Sequence, residues 1–218
     1  DFLGTWLSPV QFTKDYMRKR NLTTGVISKH IQIESHMSLT GAKADTRYVK
    51  NIDEIRQLAM EIAHSLNNGV NKGSAGKIAK ELNLHSGKCL VVSGINDLAI
   101  QLYVNQINHI LGNTGKTVLI DQPSFQAAGN DAHILELLND MEAGAVGVIL
   151  INGVNPVYDL PEGDRFGDLL KSIPMSISFT GKQNETSEQC AFQLPTRHYL
   201  ESWSDNEYTS GVLSMTQP

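Results

Sequence analysis

The stretch Val146 to Ile151, reading VGVILI, is short, β-branched and uncharged. That is the composition of a strand buried on both faces of a parallel sheet. It ends in Gly153-Val154-Asn155-Pro156 and restarts as a polar segment punctuated by Pro and Gly. The loop that leaves such a strand lies at the carboxyl edge, where ligands bind in open α/β sheets. Gly153 lets backbone come close to a partner, and Asn155, held extended before Pro156, carries an amide free to hydrogen-bond. An ordinary strand-to-helix turn has much the same composition, so the loop is a candidate that the rest of the chain must decide.

Strand-type and helix-type segments alternate along the sequence. GVISKHIQIES from Gly25, KCLVVSG, KTVLID, AVGVILING, MSISFTG and AFQLP read as strands. The segment MSLTGAKADTRYVK reads as a loop. NIDEIRQLAMEIAHSLN places Ile52, Ile55, Leu58, Ala59 and Ile62 on one helix face, with Asn51 as N-cap and Glu54 closing a capping box. Further helices are read in AGKIAKELNLH, in NDLAIQLYVNQINHILGN with Asn96 or Asp97 as cap, in DAHILELLNDMEAG and in GDRFGDLLKSI, with a helical turn in NETSEQC. Repeated units of this size require right-handed crossovers. The expected fold is a doubly wound, Rossmann-like α/β domain over residues 1–218, with a mostly parallel sheet and helices on both faces. Residues 67–76, rich in Asn, Gly, Ser and Lys, are its expected flexible loop.

Composition narrows the function classes. With 18 Lys and Arg against 23 Asp and Glu, and a net charge of -5, the chain lacks the basic stripe of a nucleic-acid binder. No apolar run approaches the eighteen or so residues of a membrane span, and no signal-peptide pattern opens the chain. The opening DFLGTWLSPVQF, without an initiator Met, is expected of an excised or processed piece. Cys89 and Cys190 stand far apart and outside any CxxC pair, so no zinc or iron–sulfur cluster is expected within this chain. Cys89 reads as a core thiol and His198 as a surface residue. The basic cluster from Lys14 to Asn21 reads as a solvated helix end, with no partner assigned. Trp203 and Tyr199 read equally as a docking patch and as packing of the tail on its own sheet.

Spacing identifies no catalytic group. HILGNTGKT ends like a phosphate loop but has Ile110 where that loop needs Gly, no GxGxxG follows a strand, and no GxSxG elbow occurs. Four strand-exit loops share a composition instead, namely SLTGAKAD, SGIND, INGVNPVYDLP and TGKQNET. Gly for close approach and Asn, Thr or Asp for hydrogen bonds would suit a large nucleotide-like ligand, although α/β loops commonly share this composition.

The ordered motifs LTGAKAD, ILGNTGK, INGVNPVYDLPEGD and NETSEQCAFQLPTRHYLESWSD resemble those of the molybdopterin oxidoreductase (dimethyl sulfoxide reductase-like) family. There the corresponding loops read roughly T-x-T-A-x-x-A-D, G-N-I-G-x-P-G-G, G-x-N-P and E-T-A. The resemblance runs from about Gly25 to Asp205. Within the family, DFLGTW, SLTGAKADTRYVK, NPVYDLPEGDRF and LPTRHYLESWSD are most similar to the large iron–sulfur subunit of bacterial alternative complex III, a quinol:electron acceptor oxidoreductase.

The resemblance implies that these loops descend from a cradle for molybdopterin guanine dinucleotide. The matching positions are Thr40, Gly41, Ala44 and Asp45, then Gly153, Asn155 and Pro156, then Glu185 and Thr186, with Ser187 replacing the family's Ala. Two departures count against a working cradle: GNTGKTVLI lacks the Pro-Gly-Gly, and no clustered Arg or Lys set is present for a pyrophosphate. No residue matches a molybdenum ligand, so no catalytic and no metal residue is expected. The resemblance therefore implies a scaffold without a cofactor of its own. Its partners would be a separate iron–sulfur domain of the parent chain and the membrane and cytochrome subunits of a complex on the periplasmic side of the bacterial inner membrane. The alternative is part of a molybdenum- or tungsten-dependent oxidoreductase whose loops hold the dinucleotide.

Overall fold

The computed structural model describes residues 1–218 except Leu22, Thr24, Val26, Val70, Asn71, Ala127 and Ala128. Within the α/β domain expected over this length, the chain forms two compact units, Asp1–Pro123 and Ser124–Pro218. In the first, α1 (Pro9–Arg18) precedes β1 (Ile31–Glu34), α2 (Leu39–Ala42) and β2 (Thr46–Val49). β1 and β2 pair in parallel, from Ile31 opposite Thr46 to Glu34 opposite Val49. The part of the expected first strand that includes Val26 lies outside the described residues. α2 and β2 both lie in the segment read as a loop.

Three helices complete the unit: α3 (Ile52–Asn68), α4 (Gly73–Leu84) and α5 (Leu98–Ile110). α3 starts where the sequence places its start. Asn51 Oδ1 accepts from Glu54 N at 2.9 Å and Glu54 returns a bond to Asn51 N at 2.9 Å, so two otherwise orphaned donors are satisfied reciprocally. Asp97 caps α5 through Ile100 N at 2.9 Å. Leu58, Ile62 and Ala63 of α3 meet Ala75, Ile78 and Ala79 of α4 and Ile107 of α5, with Ile31, Ile33 and Tyr48 of the strands against the same core. Of residues 67–76, Asn67 and Asn68 end α3, Gly69 is its left-handed C-cap, and Gly73 begins α4.

KCLVVSG and KTVLID do not form the expected strands. Cys89 to Val91 runs without a neighbouring strand because side chains take the place of one. Asn108, buried on α5, donates from Nδ2 to Val91 O at 2.6 Å and accepts from Val91 N at 3.1 Å. Thr117 Oγ1 donates to Cys89 O at 2.6 Å, and the buried Asn113 holds Asn108 Oδ1 at 2.9 Å. Peptide groups drawn out of water need partners, and along this half-buried run amide and hydroxyl side chains supply them. Cys89 packs against the core, as expected of it.

The second unit contains α6 (Asp131–Glu142), β3 (Val148–Asn152), α7 (Pro156–Asp159), α8 (Gly163–Leu170), β4 (Met175–Phe179), β5 (Phe192–Leu194) and the hairpin β6 (Ser204–Thr209) to β7 (Val212–Thr216). β3, β4 and β5 form a parallel sheet in that order, with Leu150 opposite Ile177 and Ile177 opposite Phe192. Ile149 and Ile151 turn towards Leu138 and Met141 of α6 and Phe166 and Leu170 of α8. The other face carries Val148, Leu150, Met175, Phe192 and Leu194, all exposed, Leu150 at 63%. Burial on both faces, expected for this run, is therefore corrected to burial on one. All the crossovers of this unit step the same way along the sheet, and right-handed crossovers in one direction stack on one face.

Among the described residues the strands form three separate small sheets, two of them parallel, rather than one continuous doubly wound sheet. The fold class is mixed α/β. Nothing in the sequence marks the hairpin, because SDNEYT is polar and lacks an alternating pattern. Tyr199 and Trp203 are exposed, so they do not pack as a buried tail. No described helix is long and apolar enough to cross a membrane.

Replacing Asn108 with Ala takes from Val91 N and O their partner and leaves the Asn113 amide only the Cys89 sulfur. An unpaired buried polar group costs about 1–3 kcal/mol. Urea unfolding of Asn108→Ala should therefore show a loss of at least ~2 kcal/mol.

Candidate functional site

The residues matched to the cofactor loops fall into one cluster in each unit. In the first, the organising group is a carboxylate absent from the sequence reading, that of Glu34 at the end of β1. Its side chain is nearly buried and takes Ser38 Oγ at 2.6 Å, Ser38 N at 3.3 Å, Gln32 Nε2 at 3.3 Å and Arg47 Nε at 2.5 Å. Burial works against its charge, but the bonds from Ser38 and Arg47 win and hold the carboxyl at about 2. Ser38 in turn caps α2 by accepting from Gly41 N at 3.0 Å.

Gly41 lies directly beneath this carboxylate. A Cβ built there would collide with Glu34 Oε1, so glycine is required by close approach. Thr40 is fully buried and inward: its N and Oγ1 donate to Asp1 Oδ1 at 3.1 and 2.8 Å, and Oγ1 accepts from Leu3 N at 3.0 Å. Ala44 closes the turn through Ala44 N to Gly41 O at 3.2 Å. Asp45 is gripped by both Arg20 nitrogens at 2.7 Å and accepts from His30 N at 2.7 Å. The Arg20 bond carries its carboxyl down to about 2 against the opposing effect of burial. Arg20 belongs to the cluster read as a solvated helix end without a partner, and that reading is corrected. The pairing joins residues distant in sequence, and nothing local to Lys14–Asn21 signals it.

In the second unit the loops after β3 and β4 meet at Asn155. Its Oδ1 accepts from Thr186 N at 3.1 Å and Thr186 Oγ1 at 2.7 Å, and its Nδ2 donates to Glu185 Oε2 at 2.7 Å. Thr186, fully buried, also accepts from Val157 N at 3.0 Å at the start of α7. Pro156 begins that helix, where a missing N–H costs nothing. Gly153, at φ +67, turns the chain and donates from N to Phe179 O at 3.0 Å. The Asn155 bond lowers the exposed Glu185 carboxyl. Two loops picked out separately in the sequence are thus brought together, but the amide read as free for recognition fastens one loop to the other.

These residues do not fit a molybdopterin guanine dinucleotide. A phosphate-bearing ligand needs outward N–H groups and cations. Here the space over Gly41 is filled by the Glu34 carboxylate, Thr40 points inward, Arg20 is spent on Asp45, and both hydrogen-bonding ends of Asn155 are engaged within the protein. The group left outward at Asn155 is a carboxylate, Glu185. Cys190 packs on the core of the second unit, its thiol pushed up by burial, and His198 is exposed, as expected. Among the described residues no three His, Cys, Asp or Glu side chains are grouped to hold a metal ion.

No family model matches the chain. Over 64 residues, 29% of its length, it is 38% identical to the menaquinone reductase, molybdopterin-binding-like subunit of Nitratidesulfovibrio vulgaris (strain Hildenborough). The matched stretch spans 9% of that relative. This similarity supports the resemblance to the molybdopterin oxidoreductase family.

Adding a methyl at Gly41 must displace the Glu34 carboxylate. Gly41→Ala should cost about 1–3 kcal/mol, the range of an overpacked site, and the cost should shrink in a Glu34→Ala background when both are measured by denaturant unfolding. The pH dependence has a definite sign. Glu34 and Asp45 have folded values near 2 against ordinary values of 4.5 and 3.8, so their contribution is complete above about 4.5 and is lost as pH falls towards 2. A melting-temperature profile should decline across that window, and Asp45→Asn should flatten it.

Proposed function

We propose that this chain is a scaffold portion of a molybdopterin oxidoreductase-like iron–sulfur subunit in a respiratory quinol:electron acceptor oxidoreductase of the alternative complex III type. One observation carries the reading. The polar groups at the positions matched to the cofactor loops hydrogen-bond to the protein itself, in both units. The similarity to a subunit described as molybdopterin-binding-like points the same way.

On this reading the chain performs no chemical step. Quinol oxidation and electron transfer run through iron–sulfur clusters in a separate domain of the parent chain and through cytochrome and membrane subunits. The assembly would stand on the periplasmic side of the bacterial inner membrane. The loop clamps keep the scaffold rigid where a cofactor enzyme keeps its ligand. The bare apolar face of β3, β4 and β5 fits a subunit set within a larger assembly, because parallel sheets are ordinarily covered on both sides.

Elemental analysis and oxidised-pterin fluorescence of the purified parent protein test this. Iron without molybdenum, tungsten or pterin is the expected result. Molybdenum or tungsten with about one pterin per chain would overturn the scaffold and favour an active enzyme holding molybdopterin guanine dinucleotide.

A further inference from the structure

Beyond the cofactor loops, the first unit holds a relay of side chains that the scaffold reading does not use. It starts at Glu34. Because that carboxylate is charged, it can only accept, so the Gln32 atom facing it at 3.3 Å is the Nε2 donor. Gln32 Oε1 is therefore the atom facing His30 Nε2 at 3.2 Å, and Nε2 must carry a proton. In the neutral ring Nδ1 is then a bare acceptor. It lies 3.1 Å from the Tyr16 hydroxyl, and the same hydroxyl lies 3.1 Å from Lys43 O. Tyr16 has one proton for two acceptors.

We propose that His30 is a proton-controlled switch that redirects the Tyr16 hydroxyl, from the imidazole when the ring is neutral to the Lys43 carbonyl when the ring is protonated. With a proton on Nδ1, every member is satisfied at once: Nε2–H donates to Gln32, Nδ1–H to Tyr16 Oη, and Oη–H to Lys43 O. Lys43 is the C-cap of α2 and Tyr16 belongs to α1, so protonation tightens α1 onto the segment that contains Thr40, Gly41 and Asp45. The hydroxyl turns in place. Phe2, Tyr16 and His30 meet edge-on or tilted, with centroids 5.5–5.8 Å apart, and Arg20 covers the Tyr16 ring at 5.1 Å.

The charged groups facing His30 are Arg20 after α1, Asp45 before β2 and Glu34 at the end of β1, the last paired with Arg47. Burial has the largest effect and lowers His30; the Gln32 bond raises it, Arg20 lowers it, and Asp45 and Glu34 raise it, leaving the ring below its ordinary 6.5. The switch therefore operates on the acid side of that value. Because the folded ring holds its proton less tightly than the unfolded one, overall stability falls as pH drops through this window, even as the Tyr16 to Lys43 bond forms.

Nuclear magnetic resonance of the whole chain tests the proposal. In the wild type the neutral ring should show the Nε2–H tautomer, and the Lys43 carbonyl carbon should titrate with the His30 midpoint. In Tyr16→Phe, which keeps the aromatic ring in place, the charged state loses two bonds and the neutral state one. Proton affinity should drop about tenfold, one pH unit, and the Lys43 response should vanish. An Nδ1–H tautomer, a Lys43 carbonyl silent through the His30 titration, or a Tyr16→Phe midpoint unchanged or raised would each overturn the switch. The two wild-type readings decide the matter even if the variant does not fold.

Discussion

The Glu34 carboxylate sets the terms for the first unit. A charge this nearly buried is costly unless its oxygens are filled, and the surrounding sequence is arranged to fill them. Ser38 arrives from the turn after β1, Arg47 from the paired strand and Gln32 from the same strand. The short loop between two parallel strands can fold back only because Gly41 leaves room for the carboxylate. The Arg20 to Asp45 fork then ties α1 to the far end of that loop. Breaking either pairing by truncating one partner would strand a charge, so the two ion pairs define the loop more sharply than hydrophobic contact could.

The second unit solves a similar problem without an ion pair, through one amide. Asn155 accepts at Oδ1 from the backbone N–H and hydroxyl of Thr186 and donates from Nδ2 to the Glu185 carboxylate, joining the exits of two adjacent strands. Both solutions turn polar chemistry inward at the edge where α/β folds ordinarily present it to ligands. Unrelated side chains in the two units thus do the same thing, and the loops act as internal clamps.

What the sequence disclosed depended on range. Local signals are legible: the Asn51 and Glu54 capping box, Asp97 as a cap, the helical face of α3, the helices α4 and α5, and the strands β3 and β4. The candidate loop positions were found by resemblance, and Asn155 and Thr186 do come together. Glu34 was hidden because a Gln and a Glu alternating with Ile31 and Ile33 look like the wet side of a strand. Arg20 was hidden because its partner is on another element. The apolar runs KCLVVSG and KTVLID have strand composition but no adjoining strand, and composition does not report what lies next door.

Asn108 has one more consequence. An extended run such as CLVV, uncharged and rich in β-branched residues, is the kind of segment that recruits other chains into growing sheets. Recruitment requires vacant N–H and C=O groups, and at Val91 the asparagine amide has already imitated a neighbouring peptide and used both. One polar side chain on a helix thus acts as an end-stop on this run, protecting it from its own kind.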